Sequence, residues 1–186
     1  MIPPCEDKLG NVTIQTSVPN ITTKAEQTNI IKKNLTMSML EEKYPSESWV
    51  RVYTDGSTTN AITKGGAGIY IQYLNGDQQS EAIATGLHCS NYNDEGEDII
   101  HTAHTIECKV DNNIQVVFLT DALSVLQPLM NDNLPHLEQA LFTIKTIRTL
   151  LQWIPSHCGV HSNEQVDRLC MVLDNNSKKT QPASQR

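Results

Sequence analysis

Two short apolar runs, each closing on Thr-Asp, constrain this chain more than any other feature. Val50-Arg51-Val52-Tyr53-Thr54-Asp55 and Gln115-Val116-Val117-Phe118-Leu119-Thr120-Asp121 are rich in β-branched and aromatic residues, and both stop abruptly on a carboxylate. Runs of that length and composition read as buried strands, so each Asp sits where its strand leaves the sheet. In open α/β sheets such ends gather ligands, because the scaffold is rigid there and the loops are free to vary. Two strands ending alike predict paired carboxylates.

The pattern around these runs alternates between strand and helix. A small polar loop follows Asp55, then Gly65-Gly66-Ala67-Gly68 leads into Ile69-Tyr70-Ile71. Asn75-Gly76 is a hairpin signal, which makes Glu81 to Gly86 an antiparallel third strand. The glycines read as permitting close strand packing and not as a phosphate cradle, since neither a helix start nor Gly-Lys-Ser/Thr follows them. Ser90-Asn91-Tyr92-Asn93 caps a helix with Ile99, Ile100, Ala103 and Ile106 at helical spacing. Its first turns carry Asp94, Glu95, Glu97 and Asp98, which the helix dipole favours there. A short helix is expected over Ala122 to Met130, another opening at Pro135, and a strand over Arg148 to Ile154 that Pro155 ends. Ser162 and Gln165 fit a capping box for a last helix carrying Asp167, Leu169 and Val172. The order β-β-β-α-β-α-α-β-α predicts an α/β layer with a hairpin grafted onto it.

At 186 residues the chain is long enough for one ordinary domain with flanking segments. Residues 1 to about 36 are rich in Thr, Asn, Lys and Gln, and the flanking segment extends over 1–45. They read as a linker or the remnant of a preceding domain, largely disordered, with a short helix near 38–44 where Ser38 and Glu41 fit a capping box. The folded domain is expected over 46–174 and a disordered tail over 175–186. The net charge of −7 makes the chain a poor unaided nucleic-acid binder, because backbone affinity comes from Lys and Arg neutralising phosphates. Five scattered cysteines without a Cys-x-x-Cys pair argue against a disulfide framework. With no apolar signal core and no long apolar run, the expectation is an intracellular protein of cytoplasm or nucleus, not secreted and without a membrane segment. The Asn-x-Thr sequons at Asn11, Asn20 and Asn34 are then chance matches.

Four acids stand out by position: Asp55 and Asp121 at strand ends, Glu95 in the first turn of a helix, and Asp167 one turn into the last helix. A carboxylate cluster without Cys or His partners is the ligand chemistry of a hard cation such as Mg²⁺. Two such ions about 3.5–4 Å apart activate a water and stabilise the leaving oxygen in a phosphodiester displacement. His157 and His161, with Cys158 and Cys170 nearby in sequence, also spell a weak zinc pattern that lacks a second paired half. A proton-handling His157 beside the carboxylates is the more economical reading.

Several motifs together resemble a known family. Tyr53-Thr54-Asp55-Gly56-Ser57, Ser90-Asn91-Tyr92-Asn93-Asp94-Glu95, Phe118-Leu119-Thr120-Asp121, and Gln152-Trp153-Ile154-Pro155-Ser156-His157-Cys158-Gly159-Val160 followed by Asn163-Glu164-Gln165-Val166-Asp167 are similar to ribonuclease H domains, above all those of non-LTR retrotransposon polyproteins. The resemblance spans about residues 47 to 173. It implies a mixed five-stranded sheet with helices on both faces, and hydrolysis of the RNA strand of RNA/DNA hybrids with two Mg²⁺ ions, Mn²⁺ being the substitute ion. It places the metal ligands at Asp55, Glu95, Asp121 and Asp167, and a catalytic histidine at His157. It also maps contacts to the RNA sugar onto Gly56, Ser57, Asn60 and Asn91. The chain departs from the family at Asp94, Gly96, Asp98 and Ser162. Those departures favour an alternative, a catalytically weakened or inactive nucleic-acid-binding remnant; a DNA-cleaving relative of the same superfold is a third reading. The partners implied are a hybrid duplex and a reverse transcriptase domain that supplies affinity to an otherwise monomeric chain.

Overall fold

The computed structural model describes residues 12–22, 27–57, 65–86, 99–106, 114–130 and 148–169; for 56–57, 65–67 and 83–86 the backbone alone is described. The elements are β1 (Val12–Gln15), α1 (Asn29–Lys43), β2 (Trp49–Ser57), β3 (Gly65–Gln72), β4 (Gln78–Gly86), α2 (99–106), β5 (Gln115–Thr120), α3 (Leu123–Leu129), β6 (Arg148–Trp153) and α4 (161–169). The strands form one six-stranded sheet in the order β1-β6-β5-β2-β3-β4. β1, β6, β5 and β2 run parallel to one another, and β3 is antiparallel to both β2 and β4.

The two Thr-Asp runs become the adjacent central strands. β2 and β5 pair in register from Trp49↔Gln115 to Thr54↔Thr120, so Asp55 and Asp121 follow the same rung. Side chains alternate between the two faces of the sheet. On one face Val50, Val52, Val116, Phe118 and Leu151 meet Ile99, Ala103 and Ile106 of α2 and Val125, Leu126 and Leu129 of α3. On the other, Trp49, Tyr53, Val117, Leu119 and Leu150 meet Met39 and Leu40 of α1 and Val160 and Val166 at α4. Each fully buried side chain of this kind contributes about 1.5–3 kcal/mol. Helices thus cover both faces, as expected. Among the described residues none of the helices is long and apolar enough to cross a membrane.

The hairpin forms where Asn75-Gly76 predicts it. Gly76 N–H donates to Tyr73 O (3.0 Å), Tyr73 N–H donates to Asp77 O (2.9 Å), and Gly76 takes φ +84°, a left-handed conformation that favours glycine. The glycine run lies inside β3, which starts at Gly65, in keeping with the close-packing reading.

The largest difference from expectation is at the N-terminal end. Val12–Gln15 pairs in parallel with β6, giving six strands where five were expected. Helix α1 begins at Asn29 and not near residue 38, with Thr28 as N-cap accepting from Ile31 N–H (3.4 Å). Ser38 is therefore mid-helix, and Glu41 ion-pairs with Arg51 at 2.9 Å instead of closing a capping box. The physical reason is that this stretch has too few apolar residues to fold alone. It folds because the sheet supplies partners: Val12 and Ile14 are 6% exposed and Leu40 is 0% exposed against it.

Two buried polar side chains fasten that segment. Arg51 of β2 donates from Nε to Tyr44 O (2.8 Å) and from Nη2 to Leu40 O (3.1 Å), capping the last turn of α1 with a cation. Gln152 of β6 accepts from the Tyr44 hydroxyl (2.9 Å) and donates to Ser17 O (2.9 Å). Burial pushes the Tyr44 phenol up to about 12, with the nearby Arg148 charge opposing, so it stays the protonated donor this bond requires.

Candidate active site

Four elements converge where β2 and β5 end. Asp55 has the strand parity of Arg51 and Tyr53, and Asp121 that of Val117 and Leu119, so both fall on the face covered by α4. Opposite Asp55 on β3 stands Gly68, which leaves the carboxylate without a cross-strand side chain on that flank. The turn after β5 is fixed by Ala122 N–H to Thr120 Oγ1 (3.1 Å) and by Trp153 Nε1–H to Asp121 O (3.1 Å). Ile154 N–H continues the ladder to Thr120 O (2.9 Å). The Asp121 backbone is thus clamped from both sides.

Asp167 comes from α4 and is buried, 7% exposed. Its Oδ2 lies 3.0 Å from His157 Nδ1 in the β6–α4 loop, while the His157 side chain is 73% exposed. A carboxylate only accepts, so Nδ1 carries the hydrogen and Nε2 is left outward as the basic nitrogen. His157 has φ +47° and Gly159 φ +89°. The left-handed backbone at His157 costs about 1–2 kcal/mol and turns the ring back over α4.

The start of α4 differs from the expected capping box. Glu164 N–H donates to Val160 O (3.0 Å), so the helix begins one residue before Ser162, and it is Glu164 Oε1 that accepts from Gly159 N–H (3.1 Å). Ser162 instead accepts from Gln72 Nε2 of β3 (3.3 Å), tying α4 to the sheet. Ligand atoms of His157, Glu164 and Asp167 lie within 4.8 Å of one another.

The electrostatics mark the cluster as one that a cation would relieve. Burial raises the Asp121 carboxyl above its ordinary value and the Asp167 charge raises it further, while His157 and the Asn163 amide pull it back. Asp167 Oδ1 and both polar atoms of the Asn163 amide are buried without a well-formed hydrogen bond. An orphaned carboxylate oxygen beside a second carboxylate is costly unless something positive or donating meets it. Carboxylates of this kind suit a hard divalent cation such as Mg²⁺, which Asp167 could hold together with Glu164 and His157 or with Asp121.

Of the sequence-derived residues, the structure brings Asp55, Asp121, Asp167 and His157 to one end of the sheet. Gly56 and Ser57 lie in β2, opposite Ala67 and Gly66. Glu95, Asn60 and Asn91 lie outside the described residues, as do Asp94, Gly96 and Asp98; α2 meets β4 through His101 and Glu81 (3.4 Å). Among the described residues the zinc pattern does not assemble: Cys158 is buried, its thiol donates to Pro155 O (3.4 Å) and burial raises its pKa. His161 pairs with Gln165 Nε2 (3.1 Å), and Cys170 lies outside the described residues. Asn163 and Glu164 were not singled out from the sequence. Their spacing from Asp167, four and three residues on one helix, places all three on one face and could have identified them.

No protein-family model matches this chain, and no curated protein sequence does. Among solved structures it is similar to the crystal structure of RNase H1 from the halophilic archaeon Halobacterium salinarum NRC-1, with a TM-score of 0.55 and 15% sequence identity. The match covers 69% of this chain and 99% of that one. At this identity the likeness is one of fold: the chain has an RNase H-like fold with an additional edge strand.

Proposed function

We propose that this protein is a ribonuclease that hydrolyses the RNA strand of RNA/DNA hybrids endonucleolytically with two Mg²⁺ ions. The observation that carries the reading is the convergence of Asp121 and Asp167, with His157 Nδ1 3.0 Å from Asp167 Oδ2, beside Asp55 at the end of the neighbouring strand. Asp55, Asp121 and Asp167 would hold the ions, joined by Glu95. The metal, when bound, supplies an activated water and charge stabilisation at the phosphodiester. Asp167 orients the imidazole, and the outward Nε2 of His157 takes or returns a proton at the cleaved bond. Gly56, Ser57, Asn60 and Asn91 meet the RNA sugars. The RNase H-like fold supports the reaction class, and the sequence motifs support its assignment to a retrotransposon-type domain.

With a net charge of −7 the chain gains affinity from a partner, which we assign to a reverse transcriptase domain in the cytoplasm or nucleus. The second reading, a binding remnant without cleavage, is favoured by Asp94, Gly96 and Asp98 around Glu95.

The test is incubation of the purified chain with labelled hybrid, duplex DNA and duplex RNA, in Mg²⁺ or EDTA, beside Asp121→Asn. Hybrid-specific, Mg²⁺-dependent cleavage that the substitution abolishes is expected. Binding without cleavage at high protein concentration supports the remnant instead, and cleavage of duplex DNA rejects both.

A further inference from the structure

His157 in the β6–α4 loop has a left-handed backbone, an uncommon conformation that a contact on its carbonyl helps to fix. The N-terminal segment supplies that contact. Asn29, the first residue of α1, donates from Nδ2 to His157 O at 3.2 Å. One turn later the stem of Lys33 lies against Gly159: a Cβ built on that glycine would stand 3.6 Å from Lys33 Cδ. The far end of α1 is itself anchored, since Arg51 holds Leu40 O and Tyr44 O from the strand that carries Asp55. Below the loop, Gln152 is bonded to both Tyr44 and Ser17, and β1 pairs along β6 as far as Gln15↔Gln152. Arg51 apart, these connections run between the N-terminal segment and the strand and loop that lead to His157.

We propose that residues 12–22 and 27–44 are a brace for the β6–α4 loop, and that Asn29 is the positioning residue through which the brace sets the backbone of His157. The brace needs both of its ends. Arg51 fixes where α1 stops, and the rigid helix then carries Asn29 to the His157 carbonyl. Asn29 acts by holding the carbonyl of the residue whose imidazole meets Asp167. The kinetic arm of the test rests on the ribonuclease reading, whereas the spectroscopic arm does not.

The experiment compares Asn29→Ala and Asn29→Asp with the unsubstituted chain. Asp preserves the shape but not the donor, and its charge at the start of α1 favours the helix, so any loss in that variant is not helix fraying. In NMR spectra of the metal-free, substrate-free protein, both variants should weaken the contact between the His157 ring and Asp167 and broaden the His157 to Gly159 amides. In hybrid cleavage both should lower kcat about 2- to 10-fold, the effect of one hydrogen bond, with KM unchanged. That loss should vanish in a His157→Ala background. Asn29→Gln, which keeps the amide, should recover part of it. Unaltered His157 resonances in both variants would overturn the brace, as would an equal kcat loss in the His157→Ala background. If the unsubstituted chain cleaves no hybrid, the ribonuclease reading fails and the resonances alone decide the brace.

Discussion

His157 Nδ1 lies 3.0 Å from Asp167 Oδ2, joining an exposed ring to a buried carboxylate. The pair places a basic nitrogen at the mouth of the carboxylate cluster, with its orientation set from inside the fold. His157→Ala is expected to lower hybrid cleavage about 100-fold, in the range of a lost general acid or base. Removing the ring leaves the buried Asp167 Oδ2 without its donor, so thermal stability should also fall, by about 1–3 kcal/mol. Single-turnover cleavage and a melting curve on the same preparation check both parts.

Asp121 predicts how stability responds to pH and metal. Its carboxyl is raised in the folded state by burial and by Asp167, so the folded protein binds this proton more tightly than the unfolded chain. The associated stabilisation is fully present below the unfolded carboxyl pKa and is lost as pH rises through the raised folded value. At neutral pH the charged form is therefore a burden. Asp121→Asn should raise the melting midpoint at pH 7 by about 2–4 °C without metal, and the gain should shrink in acid. Mg²⁺ should stabilise the unsubstituted protein at pH 7 and stabilise Asp121→Asn less. Melting curves across pH, with MgCl₂ and with EDTA, give both comparisons.

Arg51 and Glu41 separate helix capping from surface pairing. Glu41 is 58% exposed and its ion pair is worth about 0–1 kcal/mol, so Glu41→Gln should be nearly neutral. Arg51→Met strips donors from the Leu40 and Tyr44 carbonyls and should cost about 2–4 kcal/mol. Urea unfolding of the two variants should show this contrast; equal losses would mean that the ion pair matters more than the carbonyls.

Leu40 tests whether the N-terminal segment belongs to the fold. It is 0% exposed and packs against the sheet face of Tyr53 and Leu119. Leu40→Ala should cost about 2–5 kcal/mol, in one cooperative transition. A separate early transition, with the main midpoint unmoved, would show that α1 detaches on its own.

Much of the α/β architecture was legible because its signals are local. The strand runs at Val50 and Gln115, the hairpin at Asn75-Gly76, and the helical spacing of Ile99, Ala103 and Ile106 each follow from a few neighbouring residues, and the structure has them there. The N-terminal brace was not legible, because Val12, Ile14 and Leu40 form too sparse a pattern without the sheet they bury against. The capping box at Ser162 misled for a related reason: Ser162 serves Gln72 on another strand, which left Glu164 to cap the loop.

What the sequence determined by itself is which side chains are available: two strands ending on Asp, a third acid one turn into the last helix, and a histidine in the loop before it. Which residues meet was decided by the tertiary structure. Parallel register set Asp55 beside Asp121, the crossing of α4 brought Asp167 to face Asp121, and α1 placed Asn29 on the His157 carbonyl. Local sequence specifies strand ends and helix turns through short-range sterics and hydrogen bonds. The approach of carboxylates from distant segments needs the burial of two cores to hold their repulsion in place.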